Sequence, residues 1–263
     1  MNLIEIKNLT FSYSKEKIFD NLTLNIKNKE FVCITGCNSC GKTTLIKLLS
    51  GNIVTNNLIT IDDVSVNSVN KELIDQKVSV FSPDIKYYSK TILDELTLEF
   101  KKDDMFSVNK IKKQLKKFNM IDKINMSPQE LSYVEKQKLC LIKALLKGSK
   151  VLLLDNIFCY FDKYSKIEFL GILKKCALDN NMAVVCMITD LDDAIYSDRL
   201  IVLDGNNIFL DGEPDYIFSK EKELKKIGLR VPRNYELLNK LRLYDLVKGS
   251  SLDLNDMVME LCN

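Results

Sequence analysis

GCNSCGKTT, residues 36–44, carries two overlapping patterns. Cys37-Asn-Ser-Cys40 has the C-x-x-C spacing of a redox pair or of half a metal site. Gly36 and Gly41-Lys42-Thr43 have the spacing of a loop that wraps the phosphates of a nucleotide. The flanks decide between them. Upstream, Val32 to Thr35 is a short, largely apolar run that reads as a strand. Downstream, Thr43 to Leu49 reads as a helix with Leu45, Leu48 and Leu49 facing inward.

Strand, glycine-bounded loop and helix in that order are the context a phosphate loop requires. Loop N–H groups and the positive end of the helix dipole then converge on one anion. The expected nucleotide-binding residues are therefore Gly36, Cys37, Asn38, Ser39, Cys40, Gly41, Lys42, Thr43 and Thr44. Lys42 is expected to reach the terminal phosphates and Thr43 to hold Mg²⁺. The chain has eight cysteines, no histidine and no second C-x-x-C, which excludes mixed Cys/His zinc sites and a paired four-cysteine site. The cysteines read as small apolar residues in a reducing compartment. Cys37 and Cys40 then merely occupy variable positions of the loop.

Composition bounds the rest. With 263 residues the chain is long enough to bury a substantial core. A formal net charge of +2 gives no strong field toward nucleic acid or an anionic membrane surface. The first residues, MNLIEIKNLTF, show neither a long apolar run nor a cleavage signal, so a secretion peptide is not expected. The longest apolar runs, Val151–Leu154 and Met182–Ile188, are too short to span a bilayer. A cytoplasmic chain is expected, with any membrane contact made through a partner.

A phosphate loop alone does not separate kinases, GTPases and transport ATPases. Val151-Leu-Leu-Leu-Asp155 is a continuous apolar run ending in a carboxylate. Such a run suits a strand buried on both faces of a parallel sheet, with Asp155 brought to the Mg²⁺ at the carboxyl edge. Just before it, Leu139, Ile142 and Leu146 share one helical face, and Gly148 supplies a stop.

At this point the chain resembles an ATP-binding cassette (ABC) ATPase, over nearly its whole length. Leu131-Ser132 and then Lys136-Gln137-Lys138 are similar to the family signature LSGGQ and its basic pair, so Leu131, Ser132, Tyr133, Val134 and Glu135 stand at the signature positions. The order of phosphate loop, signature, Walker B (Asp155) and D-loop (Phe161-Asp162) is the family's. Tyr13 stands where the family places an aromatic that stacks on adenine. Alone, it reads as packing. The resemblance implies an α/β fold: a P-loop NTPase cassette with an N-terminal antiparallel β part, a parallel core sheet and a helical subdomain. It implies ATP and Mg²⁺, the latter held by Thr43 and Asp155.

Toward the C-terminus, Leu224 to Pro232 and Tyr235 to Leu241 resemble the tail of energy-coupling-factor (ECF) ATPases. That resemblance implies uptake of a vitamin or metal ion in prokaryotes, on the cytoplasmic face of the cell membrane. The implied partners are a second ABC ATPase subunit, a transmembrane coupling subunit and a substrate-binding membrane protein. Leu237, Leu241 and Tyr244 at helical spacing equally describe an ordinary amphipathic helix. The expected organisation is an ATP-binding domain over 1–219, with its helical subdomain over 91–149, and a tail over 220–263. Within it, strands are expected at Val78–Phe81 and Ala183–Ile188 and a helix from Lys163. The tail is a candidate dimer contact.

Four features depart from the family. Asn156 replaces the glutamate that handles the attacking water, and a neutral amide cannot take a proton. Tyr133-Val134 replace the signature glycines and are expected to obstruct the facing subunit. Ser82 stands for the glutamine expected after Phe81. The switch histidine expected after Thr189 is missing. ABC ATPases pair head to tail, each ATP lying between one phosphate loop and the other signature. The binding half is thus expected to be intact and the hydrolytic half impaired. The readings that follow are a transporter subunit paired with a more intact paralogue, a non-hydrolytic nucleotide-binding module, or a non-transport ABC protein.

Overall fold

The computed structural model describes residues 2–55, 58–99, 105–247 and 254–262. The chain opens with a long hairpin, β1 (Asn2–Tyr13) and β2 (Glu16–Lys27), then β3 (Phe31–Gly36) and α1 (Lys42–Leu49). Next come β4 (Ile59–Ile61), β5 (Val64–Ser65), α2 (Lys71–Lys77) and β6 (Val78–Phe81). Three helices follow: α3 (Ile92–Thr97), α4 (Met105–Lys117) and α5 (Tyr133–Lys147). The chain returns through β7 (Val151–Asp155), α6 (Lys163–Asn180), β8 (Ala183–Met187), β9 (Arg199–Asp204) and β10 (Asn207–Gly212). It ends in α7 (Pro214–Ser219), α8 (Glu221–Lys226), α9 (Arg233–Leu243) and α10 (Leu254–Leu261).

Among the described residues the strands form two sheets. One, in the order β2-β1-β4-β5, is antiparallel. The other runs β10-β9-β3-β8-β7-β6 and is parallel except for β10. The apolar run ending at Asp155 is β7, between β6 and β8. Its alternate residues face two different cores. Leu152 and Leu154 join Leu139, Ile142 and Phe169 of α5 and α6. Val151 and Leu153 join Leu45, Leu48 and Leu49 of α1 and Phe19 of the hairpin. Burying each such leucine is worth about 1.5–3 kcal/mol, which is why a strand with two covered faces shows no polar alternation.

Parallel register collects the carboxyl ends of the strands at one edge. Ile34 of β3 pairs with Met187 of β8, Met187 pairs with Asp155 of β7, and Leu154 pairs with Phe81 of β6. Gly36, Thr189, Asp155 and Ser82 therefore follow one another along that edge.

The expected strand at 78–81 and the helix from Lys163 are β6 and α6. In α5, Leu139 and Ile142 are buried and Leu146 is half-buried, and Gly148 ends the helix in the left-handed region at φ 77°. The hairpin of β9 and β10 is not among the expected elements. Its turn is Gly205-Asn206, with φ of 53° and 75°. This is the two-residue turn that matches strand twist, written in a less familiar residue order.

In α9 the buried face is centred on residues other than Leu237 and Tyr244. Leu237 and Tyr244 are exposed, while Tyr235 and Leu238 are buried and Leu241 packs on Leu238 and Val247. Tyr235 sets this rotation. Its ring meets Phe218 of α7 edge-on at 5.3 Å, and its hydroxyl donates to the Asp215 carbonyl oxygen at 3.1 Å.

Candidate functional site

The loop from β3 to α1 depends on two glycines whose side-chain space is already taken. Gly36 has φ 153°, and a Cβ there would lie 2.3 Å from the Leu203 carbonyl oxygen and 2.7 Å from Cys40 Sγ. Gly41 has φ 96°, and a Cβ would meet the Phe19 ring at 2.7 Å and Ile18 at 2.8 Å. Both glycines are therefore required on conformational and steric grounds. The result is a shallow cradle, with Asn38 and Ser39 exposed at its rim and Ser39 itself at φ 64°.

Helix α1 begins at the end of this cradle. Gly41 is its cap, with no side chain engaging the first-turn N–H groups and no acidic residue in that turn. Uncapped N–H groups and the positive end of the dipole suit an anion. Thr44 is half-buried in the first turn. Lys42 Nζ lies back across the loop, donating to the Gly36 oxygen at 2.8 Å and the Cys37 oxygen at 3.1 Å, with Cys40 Sγ at 3.5 Å.

Asp155 approaches from β7. Burial raises its carboxyl pKa, against a hydrogen bond from Thr43 and the charges of Lys47 and Lys42. A hydroxyl and a carboxylate brought together beside a glycine cradle form an oxygen donor pair suited to Mg²⁺. The cradle and this pair fit a magnesium-bound nucleotide triphosphate, whose metal would neutralise phosphate charge. Tyr13 is 44% exposed, on the hairpin whose Ile18 and Phe19 pack under Gly41, with its ring edge-on to Phe11 at 5.0 Å.

Asn156 follows directly. Its φ is 52°, a left-handed conformation that asparagine tolerates better than most residues. Its N–H donates to the Met187 oxygen at 3.1 Å, and its side-chain oxygen accepts from Thr189 Oγ1 at 3.3 Å. Thr189 was not singled out in the sequence as a partner of Asn156. Its signal is position, since a polar residue just past an apolar strand at this edge must face the same space. Ser82 turns away: its hydroxyl accepts from the Asp84 N–H at 3.1 Å, and its carbonyl accepts from Gln137 Nε2 at 3.1 Å.

The segment Leu131–Glu135 starts α5. Ser132 caps the helix in a reciprocal box with Glu135, which also pairs with Lys123. Leu131 is buried. Tyr133 packs against its own chain. Its hydroxyl donates to the Ile157 carbonyl oxygen at 2.7 Å, and its ring meets Tyr160 at 5.2 Å and Phe161 at 5.6 Å. Burial, ahead of the neighbouring Cys159 and Tyr160, holds its hydroxyl above the usual tyrosine pKa. Val134 likewise packs against the α5–α6 core. The reason is local: an aromatic at the first turn of α5 finds an apolar wall of Phe158, Phe161 and Phe169 within its own chain. Asp162 is engaged as the cap of α6, accepting from the N–H groups of Tyr164 and Ser165.

The structure therefore brings Gly36–Thr44, Asp155, Asn156 and Thr189 to one edge. The hydrogen bonds and ion pairs of Ser132–Glu135 lead instead to Lys123 and Ile157. Among the described residues no cluster of three or more Cys, Asp or Glu side chains could complete a metal site around Cys37 and Cys40. No helix among them is long and apolar enough to cross a membrane.

The chain is similar to known proteins in sequence and in fold. The family model described as "ABC transporter" matches residues 19–158. The energy-coupling factor transporter ATP-binding protein EcfA1 of Clostridioides difficile is 30% identical over 275 residues, covering 99% of this chain and 99% of that protein. The protein of the same name from Ligilactobacillus salivarius is 30% identical over 241 residues, covering 88% and 85%. In fold, the chain matches cbiO1 from Clostridium perfringens, described as part of the ABC transporter complex cbiONQ. The TM-score is 0.77 at 20% identity, over 90% of this chain and 99% of that one.

Proposed function

The chain belongs to the ABC transporter family, and from that premise we propose that it is the ATP-binding subunit of an ECF-type transporter. Relatives alike over nearly their whole length carry that name. The transporter takes up a vitamin or metal ion in a prokaryote. The subunit sits on the cytoplasmic face of the membrane, held by a transmembrane coupling subunit that works with a substrate-binding membrane protein. The observation that carries this reading is the Gly36–Gly41 cradle set beside the Thr43–Asp155 pair. It binds Mg-ATP, with Lys42 leaving its own carbonyls for the terminal phosphates and Tyr13 against the base.

Hydrolysis in its own site is weak. Asn156 offers an amide where a base is needed, and Ser82 faces its own turn. We infer a heterodimer with a more intact cassette that carries most of the turnover. The same two observations favour a second reading, a module that binds nucleotide and never hydrolyses it.

Co-expression with an intact paralogue and a coupling subunit tests the proposal. A stable heterodimer whose ATPase is stimulated by the coupling subunit is expected, while the chain alone stays monomeric or weakly dimeric in light scattering. A tight ATP-dependent homodimer with full turnover would contradict it. A heterodimer whose turnover is indifferent to Lys42→Ala in this chain would favour the second reading.

A further inference from the structure

Cys37 and Cys40 span a tight turn at the floor of the phosphate cradle. The Cys40 N–H donates to the Cys37 carbonyl oxygen at 3.3 Å, the bond that closes a four-residue turn and holds its ends within about 7 Å. Disulfides join Cα atoms about 4.4–6.8 Å apart. Both sulfurs lie on the β9 side of the loop. Cys40 Sγ is beside Gly36, next to the Leu203 carbonyl, and Cys37 Sγ donates to Asp204 Oδ1 at 3.8 Å, one residue further along β9. The two are close enough to interact: after burial, Cys40 is the next cause holding the Cys37 thiol above its usual pKa, ahead of Asp204. They are also reachable. Cys33, Cys140, Cys176 and Cys186 are buried, whereas Cys37 and Cys40 are only partly covered.

We propose that Cys37 and Cys40 form a reversible dithiol–disulfide site that reacts with small-molecule disulfides and, when oxidised, holds the phosphate loop in this tight turn. This rests on the nucleotide-binding reading above. In the closed loop the Cys40 N–H is engaged by Cys37 rather than aimed into the cradle, and Lys42 is tied to Gly36 and Cys37. In this proposal, phosphate binding turns the Cys40 N–H into the cradle and draws Lys42 to the terminal phosphates. A bond between the sulfurs closes a small ring across the turn and holds that N–H where it is. In the exchange, one cysteine sulfur attacks a sulfur of the small disulfide and expels one small thiol, leaving a mixed disulfide. The second cysteine then expels the other. Two protein thiols and one disulfide become one protein disulfide and two small thiols, with no net change in protons or electrons. The mass of the protein falls by two hydrogens.

The full-length protein, equilibrated in mixtures of reduced and oxidised glutathione, provides the test. Peptide mass spectrometry should show the Cys37–Cys40 link accumulating with oxidation. Calorimetry should show Mg-ATP affinity falling at least about tenfold in step with it, a loss equal to one charge-assisted contact or more, and dithiothreitol should restore it. In the double variant Cys37→Ser/Cys40→Ser, the ratio of oxidised to reduced affinity should collapse to one, whatever the affinity of the variant itself. If the link never forms at any glutathione ratio, the site does not exist. If it forms and the affinity is unchanged, the loop is not locked by it. If reduced wild-type protein fails to bind Mg-ATP, the nucleotide-binding reading falls and the gating role with it, while the mass measurement still decides the disulfide.

Discussion

The hydroxyl of Tyr133 and the carbonyl oxygen of Ile157 are joined at 2.7 Å, so the first residue of α5 is anchored to the segment that follows Asp155 in the same chain. Tyr133, which the family resemblance sets at a signature position, is held by contacts within its own chain. Tyr133 thus acts first on stability and on the aim of α5.

Tyr133→Phe should lower stability by about 1 kcal/mol, because the Ile157 carbonyl loses its donor. Tyr133→Gly should cost about 2–4 kcal/mol, since it also removes the ring contacts with Tyr160 and Phe161. Urea unfolding of the two variants checks the order. If Gly is as stable as Phe, the inward packing is not sustained in solution.

Lys42→Ala should abolish measurable Mg-ATP binding in calorimetry, yet change the stability of the nucleotide-free protein by only about 1 kcal/mol. Its two carbonyl hydrogen bonds are partly exposed and replaceable by water, whereas no neighbour can supply its charge to a terminal phosphate. Equal affinity in wild type and variant would remove the phosphate-loop assignment.

Asn156→Glu introduces a carboxylate at φ 52°, where a longer side chain is strained, and it breaks the bond from Thr189. A stability loss of about 1 kcal/mol is expected. The isolated chain should remain a poor ATPase, because restoring one member of a group that acts as a unit recovers little. In a heterodimer with an intact paralogue, steady-state ATPase should rise. Full activity in the isolated variant would show that Asn156 is the sole defect.

Glu95 gives a pH signature. Burial raises its carboxyl pKa, but hydrogen bonds from Lys143 and Ser89 and the Lys143 charge outweigh it, leaving the group below the usual carboxylate value. A carboxyl with a depressed folded pKa contributes stability above its unfolded pKa, about 4.3, and loses it as pH falls through the lower folded value. Glu95→Gln should therefore cost about 1–2 kcal/mol at pH 7, a difference that narrows as pH drops below about 4. A difference that stays constant from pH 7 to pH 3 in urea titrations would mean that the pair does not act through charge.

The local signals were legible because they depend on near neighbours in the chain. Glycines at 36 and 41, a lysine and threonine beside them, and an apolar run ending at Asp155 dictate a strand, a cradle, a helix and a buried strand by conformational limits and periodicity alone. That Asn156 stands where an acid is expected came from the family resemblance.

What the tertiary structure decided is where side chains point when several environments compete for them. Tyr133 turned inward because Tyr160 and Phe161 offered an apolar wall and Ile157 a carbonyl. The rotation of α9 followed Tyr235 rather than the regular spacing of Leu237, Leu241 and Tyr244, because Phe218 and the Asp215 carbonyl took the tyrosine. Asn156 met Thr189, and the Cys37 thiol met Asp204 at the end of β9. Sequence spacing determines which residues share a strand or a helical turn. Contacts between separate elements depend on register and helix rotation, and the packed fold alone sets those.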